Sequence, residues 1–282
     1  MYATPRQMAI LKIVKSRGSC RIVELANMLG VSDETIRRNI KPLVGSGMMR
    51  RVHGGVVVPR RIGEAPIERR MLEHAEEKER IAAAIAAMIE DGDSLILDTG
   101  STAVHVAIAL MERANLFVIT NSSKVASVLA SEKSNRVFLA GGEMSEHDLG
   151  TYGQDAIAFV SRFQVKYAIL SVAAMHMDKG FMVYFKHEAD FQLAAMAHAD
   201  RCIVGMDSTK FGATSPVRLS DLTAIDTLVS DAAPDAETQK RLALAKVGLV
   251  VAPSTKSQAG SSRATGGGKT GIKRFADKRP TA

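Results

Sequence analysis

The sequence predicts an α/β chain of two unlike units, a small, mainly helical head and a larger domain organised around a mainly parallel sheet. Three observations lead there. Apolar residues recur at helical spacing through the first 58 residues, in segments punctuated by Gly18 and Gly30. From residue 78 to 206 helical and strand patterns alternate, as expected for parallel strands joined by helical crossovers. Charge divides along the same boundary: residues 1–61 hold 12 lysines and arginines against 3 acids, whereas residues 62–253 hold 18 against 26. A basic head on an acidic body is the asymmetry of a polyanion-binding module joined to a domain with a different task.

Composition narrows the class. At 282 residues, 46% hydrophobic and 24% charged, the chain is long enough for two cores and is neither wholly disordered nor fibrous. The longest apolar candidate for a membrane span, residues 81–89, is short, alanine-rich and bounded by Arg80 and Glu90, so no membrane partner is expected. Pro5 and Arg6 precede a helical pattern rather than a secretory signal. Cys20 and Cys202 form neither a disulfide framework nor a CxxC site, and the histidines lack ligand spacing. The expectation is a cytoplasmic protein without metal or cofactor.

In the head, Met8, Leu11 and Val14 mark the inner face of a first helix that stops at Gly18. A second helix runs from about Ile22 to Leu29, with Val23, Leu25, Ala26 and Leu29 inward, and Gly30 suits its left-handed C-terminus. Ser32 is the expected N-cap of a third helix with Thr35 at its N3 position. Two helices joined by a short glycine-containing turn make a helix-turn-helix. On the third helix Ile36, Ile40 and Leu43 share the inner face, leaving Ser32, Thr35, Arg37, Arg38 and Lys41 for a DNA groove. Residues 48–58 read as two short strands around Gly54-Gly55, a basic wing carrying Arg50 and Arg51.

In the larger domain, strands are expected at 94–97, 116–120, 136–140, 167–172 and 201–206, with helices at 78–90, 103–112, 124–131 and 187–199. Ligands of parallel α/β sheets sit at the carboxyl ends of strands. There the sequence places Asp98-Thr99-Gly100-Ser101-Thr102 before a helix, Thr120-Asn121-Ser122-Ser123, Gly141-Gly142-Glu143, and Asp207-Ser208-Thr209-Lys210-Phe211-Gly212. Backbone N–H groups, hydroxyls and a helix N-terminus make the first loop a cradle for phosphate or carboxylate. Lys210 is placed to set an ammonium over the same anion. Each loop alone also fits ordinary turn and N-cap chemistry. Together the four specify a small, hydroxylated, phosphorylated ligand.

Two sets of residues carry a family resemblance. Val31-Ser32-x-x-Thr35-Ile36-Arg37-Arg38, followed by Gly47, Arg51 and His53-Gly54-Gly55, resembles the winged head of the DeoR family of bacterial sugar-metabolism repressors. Glu77-Lys78, Ile81-Ala82, Asp98-x-Gly100-Ser101-Thr102, Thr120-Asn121-Ser122, Gly141-Gly142 and Asp207-x-x-Lys210-Phe211-Gly212 resemble its sensor domain. The resemblance implies a winged helix-turn-helix plus a ribose-5-phosphate isomerase/CoA transferase-like α/β domain that binds phosphorylated sugars or polyols. It adds Arg51 and His53 to the DNA-contacting set. Gly141-Gly142-Glu143, Gly150-x-x-Gly153, Phe159-x-Ser161-x-Phe163 and His187-Glu188 are similar to glycerol-3-phosphate regulon repressors, which adds Glu188 to the effector site and makes glycerol 3-phosphate the first effector to test. Two departures stand out. Asn39 occupies a position that is usually acidic in the family, and residues 171–176, Ser-Val-Ala-Ala-Met-His, replace a Gly-x-x-Gly-x-Asp stretch.

The expected organisation is a winged DNA-binding head at 1–58, a linker at 59–77, an effector domain at 78–253 and a disordered basic tail at 254–282. Gly266-Gly267-Gly268-Lys269-Thr270 lacks the first glycine of a phosphate-binding loop, which Arg263 replaces, and no strand precedes it. The rival reading is a sugar-phosphate isomerase-like enzyme with Glu188 or Asp178 as base. The preferred reading has no catalytic residue. It is a homo-oligomeric repressor that leaves a double-stranded operator when a phosphorylated metabolite binds.

Overall fold

The computed structural model describes residues 4–46, 48–57, 64–131 and 134–254. The expected tail from 255 onward, and residues 59–63 of the expected linker, lie outside the described residues. The chain divides into two compact units, residues 1–64 and 65–282.

The first unit begins with α1 (Pro5–Arg17), whose N-terminus is closed by a Thr4–Gln7 capping box. A three-residue strand, β1 (Ser19–Arg21), leads into α2 (Ile22–Leu29), which ends at Gly30 in the left-handed conformation, φ 62°. Ser32 caps α3 (Asp33–Gly45), accepting from the Thr35 N–H at 3.3 Å. The wing strands β2 (Arg50–Val52) and β3 (Gly55–Val57) pair antiparallel, and β1 joins β3 on its other edge. The third strand was not expected, because three residues are too few to show a period. Ile10, Val14, Leu25, Ile36, Ile40, Leu43 and Val56 form the core. Met8 and Val23, expected inward, are 58% and 56% exposed, while Ile10 and Ile22, two residues and one residue away, are buried.

The glycines of the wing have different duties. Gly54 has φ 74° and makes the turn. A Cβ on Gly55 would lie 2.5 Å from the Cys20 carbonyl oxygen, so β1 can pair with β3 only beside a residue without a side chain.

The second unit opens with α4 (Ile67–Leu72) and α5 (Ala75–Ala86). Part of the expected linker, residues 65–77, therefore belongs to this unit and is largely helical. Then follow β4 (Ser94–Leu97), α6 (Ser101–Ala109), β5 (Phe117–Thr120), α7 (Ser123–Leu129) and β6 (Arg136–Leu139). A two-stranded hairpin, β7 (Glu143–Met144) and β8 (Thr151–Tyr152), precedes α8 (Gln154–Val160) and β9 (Val165–Ser171). Next come β10 (Ala174–His176), β11 (Gly180–Val183), α9 (Lys186–Ala197), β12 (Ala199–Gly205) and β13 (Val217–Ser220). The unit closes with β14 (Thr227–Ser230), α10 (Ala236–Leu244) and β15 (Gly248–Val251).

Seven strands form one parallel sheet in the order β15-β14-β12-β9-β4-β5-β6. Both faces of its centre are covered, so β4, β5 and the middle of β9 are apolar on both sides. Leu95 and Leu97 of β4 pack with Ile81, Ile85, Val106 and Val125 from the α5, α6 and α7 side. Ile96, between them, packs with Val160, Phe191 and Leu242 from α8, α9 and α10 on the other. A small antiparallel sheet, β10-β11-β13, stands apart from this sheet.

Chain order runs outward from the middle, β4 to β6 one way and β9 to β15 the other. The reversal falls between β4 and β9, which opens a crevice at their carboxyl ends.

Gly55→Ala is expected to destabilise the head by about 1–3 kcal/mol through the forced shift of the Cys20 carbonyl. Urea unfolding of the full chain checks it, and an unchanged midpoint contradicts the close approach.

Candidate functional site

On α3 the arginines project from a fixed support. Ile36, Ile40 and Leu43 are buried, and this leaves Arg37, Arg38 and Lys41 exposed on the opposite side. Ser32 and Thr35 are tied to each other, hydroxyl to hydroxyl at 2.9 Å, at the front of the helix. Asn39 donates to the Thr35 carbonyl at 2.9 Å, so the position expected to be acidic stabilises the same turn. Arg50, Arg51 and His53 are exposed on the wing. The head thus presents a helix face and a hairpin rich in cations, with acids only in the first turn of α3 at Asp33 and Glu34, which suits a phosphate backbone flanking a groove.

In the second unit the crevice between β4 and β9 is filled by a polar network. Asp98, 1% exposed at the end of β4, accepts from the Ser171 N–H at 2.9 Å and from the Gln192 amide at 2.7 Å. Gln192 also donates to the Ser171 carbonyl at 2.8 Å. Burial pushes the Asp98 carboxyl well above the usual carboxylate range; these donors oppose the shift and nearby Glu188 adds to it. Asp98 is therefore turned into the protein, where it joins β4, β9 and α9.

Above it, Gly100 has φ 139°, and a Cβ there would stand 2.4 Å from the Ser171 hydroxyl. The next residues begin α6 without a side-chain cap. Thr102, 2% exposed, has a buried hydroxyl with no hydrogen-bond partner among the described residues. A helix start with free N–H groups and an unsatisfied hydroxyl is an anion-binding arrangement.

The remaining expected residues divide by role. Thr120 accepts from the Ser122 N–H, and Ser122 caps α7; both are fully buried and build their loop. Asn121 donates to the Thr151 carbonyl, and its buried side-chain oxygen has no partner among the described residues. Gly142, with φ 135°, lies where a Cβ would meet the Tyr152 carbonyl oxygen at 2.2 Å, while Gly141 is exposed beside it. Glu188 accepts from the Tyr184 and Phe185 N–H groups, both at 3.1 Å, and so closes the start of α9. Lys210 is tethered, donating to the Val172 carbonyl at 2.7 Å with Asp207 at 3.7 Å. Its ammonium therefore borders the same end of β9 that Gly100 approaches. Burial opposes the ionisation of Asp207, but Lys210 and Thr209 hold its carboxyl below the usual range.

Several contributors were given no place in the site from sequence. Ser171 and Gln192 complete the network around Asp98. Thr99 donates to the Asp148 carbonyl at 3.4 Å, and Tyr152 donates to the Asp148 carboxylate at 2.6 Å, so the β7–β8 hairpin folds over the first loop. Lys78, 4% exposed, donates to the carbonyls of Arg70 and Glu73 at 2.6 and 2.5 Å. Burial and the neighbouring Lys210 push its pKa down to about 8. A signal for two of these was present. Gln192 follows Glu188 by four residues on one helix face, and Lys78 leads an apolar stripe with Ile81, Ala82 and Ile85.

Comparison with known proteins follows the same division. Residues 6–61 match the model of the DeoR-like helix-turn-helix domain, and residues 73–232 match that of the DeoR C terminal sensor domain. The HTH-type transcriptional repressor CsqR of Escherichia coli (strain K12) is 34% identical over 251 residues, 89% of this chain and 96% of that protein. The glycerol-3-phosphate regulon repressor of the same organism is 32% identical over 234 residues, 83% of this chain and 93% of that protein. Among solved structures, ribose 5-phosphate isomerase A from Methanocaldococcus jannaschii aligns at 15% identity over 49% of this chain and 55% of that one, with a TM-score of 0.37.

The network at the crevice is expected to behave as one unit. In a double-mutant cycle of Asp98→Asn and Gln192→Met, the two changes should fall short of additivity by about 0.5–3 kcal/mol in urea unfolding. Simple additivity would mean that the two side chains do not act together.

Proposed function

The chain belongs to the DeoR family of transcriptional repressors, and from that premise we propose that a phosphorylated sugar or polyol bound at the β4–β9 crevice releases its head from operator DNA. As a family member it is a regulator and not an enzyme. The observation that carries the effector reading is the start of α6, where uncapped N–H groups and the partnerless Thr102 hydroxyl face a small-residue loop. Gly100, Ser101, Thr102 and Lys210 take the phosphate in this reading. Asn121, with its unsatisfied oxygen, accepts from a ligand hydroxyl. Asp98, Thr120, Ser122, Gly141, Gly142 and Glu188 shape the loops that hold those groups. Glycerol 3-phosphate is the first compound to test, because a relative that carries that metabolite in its name aligns over 83% of this chain.

The enzyme alternative has little to work with. Glu188 is engaged by two backbone N–H groups, and Asp178 pairs with Arg241 at 2.9 Å on the surface. Neither is presented as a base at the crevice.

In the head, Arg37, Arg38 and Lys41 approach the DNA from α3 with Ser32 and Thr35 at its front, and Arg51 and His53 grip the backbone from the wing. Two or more heads in a homo-oligomer would read repeated half-sites.

Two experiments test these assignments. Thermal melts across phosphorylated sugars and polyols, each beside its unphosphorylated partner, should show stabilisation by a phosphorylated member alone, worth about 2.7 kcal/mol at one hundred times its Kd. Thr102→Val should abolish that stabilisation while leaving the unliganded protein as stable or slightly more so, since it removes an unsatisfied hydroxyl. A silent panel with the wild type ends the effector reading. Separately, Arg37→Ala and Arg38→Ala should each weaken operator binding by about 1–3 kcal/mol without altering the melt or the response to effector. Operator binding within twofold of wild type, as a ratio of about 1–2, would remove those arginines from the interface.

A further inference from the structure

We propose that α4 is a strap that reports occupancy of the crevice to the chain leading toward the head, with Lys78 as the positioning residue that binds it. This rests on the effector reading above and adds a route out of the site.

A six-residue helix has no independent stability, so whatever holds α4 determines where it lies. Its N-terminal end is fixed by the buried Ile67, whose N–H donates to the His147 carbonyl at 2.8 Å, and by Glu68, 3.5 Å from Lys124. Its carbonyl end is received by side chains. Lys78 donates to Arg70 and Glu73, and His105 Nε2 lies 3.4 Å from the Met71 carbonyl, a contact that requires the proton on that nitrogen.

Each of these groups belongs to a part of the crevice. His105 is in the helix that begins at Ser101. Lys124 follows the Asn121-Ser122 loop, and His147 adjoins Asp148, whose carbonyl accepts from Thr99. Lys78 feels the charges of Lys210 and Asp207 across from α5. The first described residues of the unit, Ala65 and Pro66, run directly into α4, so its position sets where the chain leaves the sensor domain.

The electrostatics give the coupling a sign. Lys78 is a cation deep in the protein; burial first and the charge of Lys210 second weaken its protonated form and its hold on α4, and Asp207 offsets only part of this. An anion held at Lys210 offsets that repulsion and tightens the two carbonyl bonds. Occupied and empty sites therefore differ in how firmly the strap is seated, which is the differential interaction an effector needs to shift a population.

Lys78→Met in the full-length protein tests this, since methionine fills similar space without the donor. Without any ligand, hydrogen exchange at the Arg70 and Glu73 amides should speed up by about tenfold while the sheet amides of β9 and β12 stay protected. Unchanged α4 protection overturns the proposal. On operator duplex selected from random DNA with the wild type, glycerol 3-phosphate should weaken wild-type binding by a factor in the range of about 5–150, and the variant by less than about twofold, although the compound still stabilises the variant. A full response in the variant overturns the strap. So does loss of ligand stabilisation, which would make Lys78 a direct ligand contact. If sheet protection also collapses, His105→Phe, which removes only the Met71 contact, must show the same separation of ligand binding from response, and its failure to do so overturns the proposal. Failure of the whole compound panel with the wild type refutes the effector reading alone, because the ligand-free exchange comparison still decides whether the strap exists.

Discussion

The second unit depends on one buried interaction, the junction of Asp98 with Ser171 and Gln192. Strand order reverses between β4 and β9, and at such a reversal the helices leave in opposite directions and the strand ends would otherwise be open. A carboxyl from β4, a backbone N–H from β9 and an amide from α9 close the floor of that opening. Everything above the floor is placed relative to it. Gly100 passes over Ser171 without a Cβ, α6 begins at once, and Lys210 reaches the adjacent Val172 carbonyl. The departure at Ser171 places a hydroxyl in the space beside Gly100, whose backbone at φ 139° already favours glycine.

The junction also bears on how an anion is accepted. An ionised carboxylate directly beneath the start of α6 would repel a phosphate, cancelling part of the attraction of the helix N-terminus. Burial raises the Asp98 pKa, which disfavours that charge, while Glu188 spends its carboxylate on closing α9. The acids near the crevice thus serve the fold rather than the ligand. The polar groups left without partners are a hydroxyl on Thr102 and an amide oxygen on Asn121, both uncharged. In the proposed reading, such a site takes a small ligand with one anionic end and neutral hydroxyls at the other.

Much of this was legible in the sequence, and what was missed has a physical reason. Strand ends could be located because each parallel strand is a short apolar run followed by small polar residues, as at Leu97–Asp98 and Thr120–Asn121. Local geometry was legible where one residue type forces it, as with Gly30 ending α2 and Ser32 starting α3. The orientation of Asp98 was not legible, because its partners lie 73 and 94 residues away in sequence. The loops at Thr120–Ser122 were read as ligand-facing, yet their hydroxyls satisfy their own turns. The helical part of the 59–77 stretch was missed because its charge resembles a linker, while its single buried anchor, Ile67, is too little to set a period.

The placement of Lys78 shows why such a stripe is worth close inspection. In α5 the residues at 78, 81, 82 and 85 all face the interior, and three of them are plain hydrophobes. A lysine in that series costs desolvation that a methionine would not, so its ammonium matters to the structure only through the two carbonyls it reaches. Those carbonyls belong to a helix that cannot stand alone, at the point where the chain enters the sensor domain. A buried charge thereby does something a hydrophobe cannot: it makes the seating of α4 depend on the electrostatic state of the neighbouring loop. Packing alone would hold α4 equally well whether the crevice were empty or full, and a sensor domain needs that difference to act on the head.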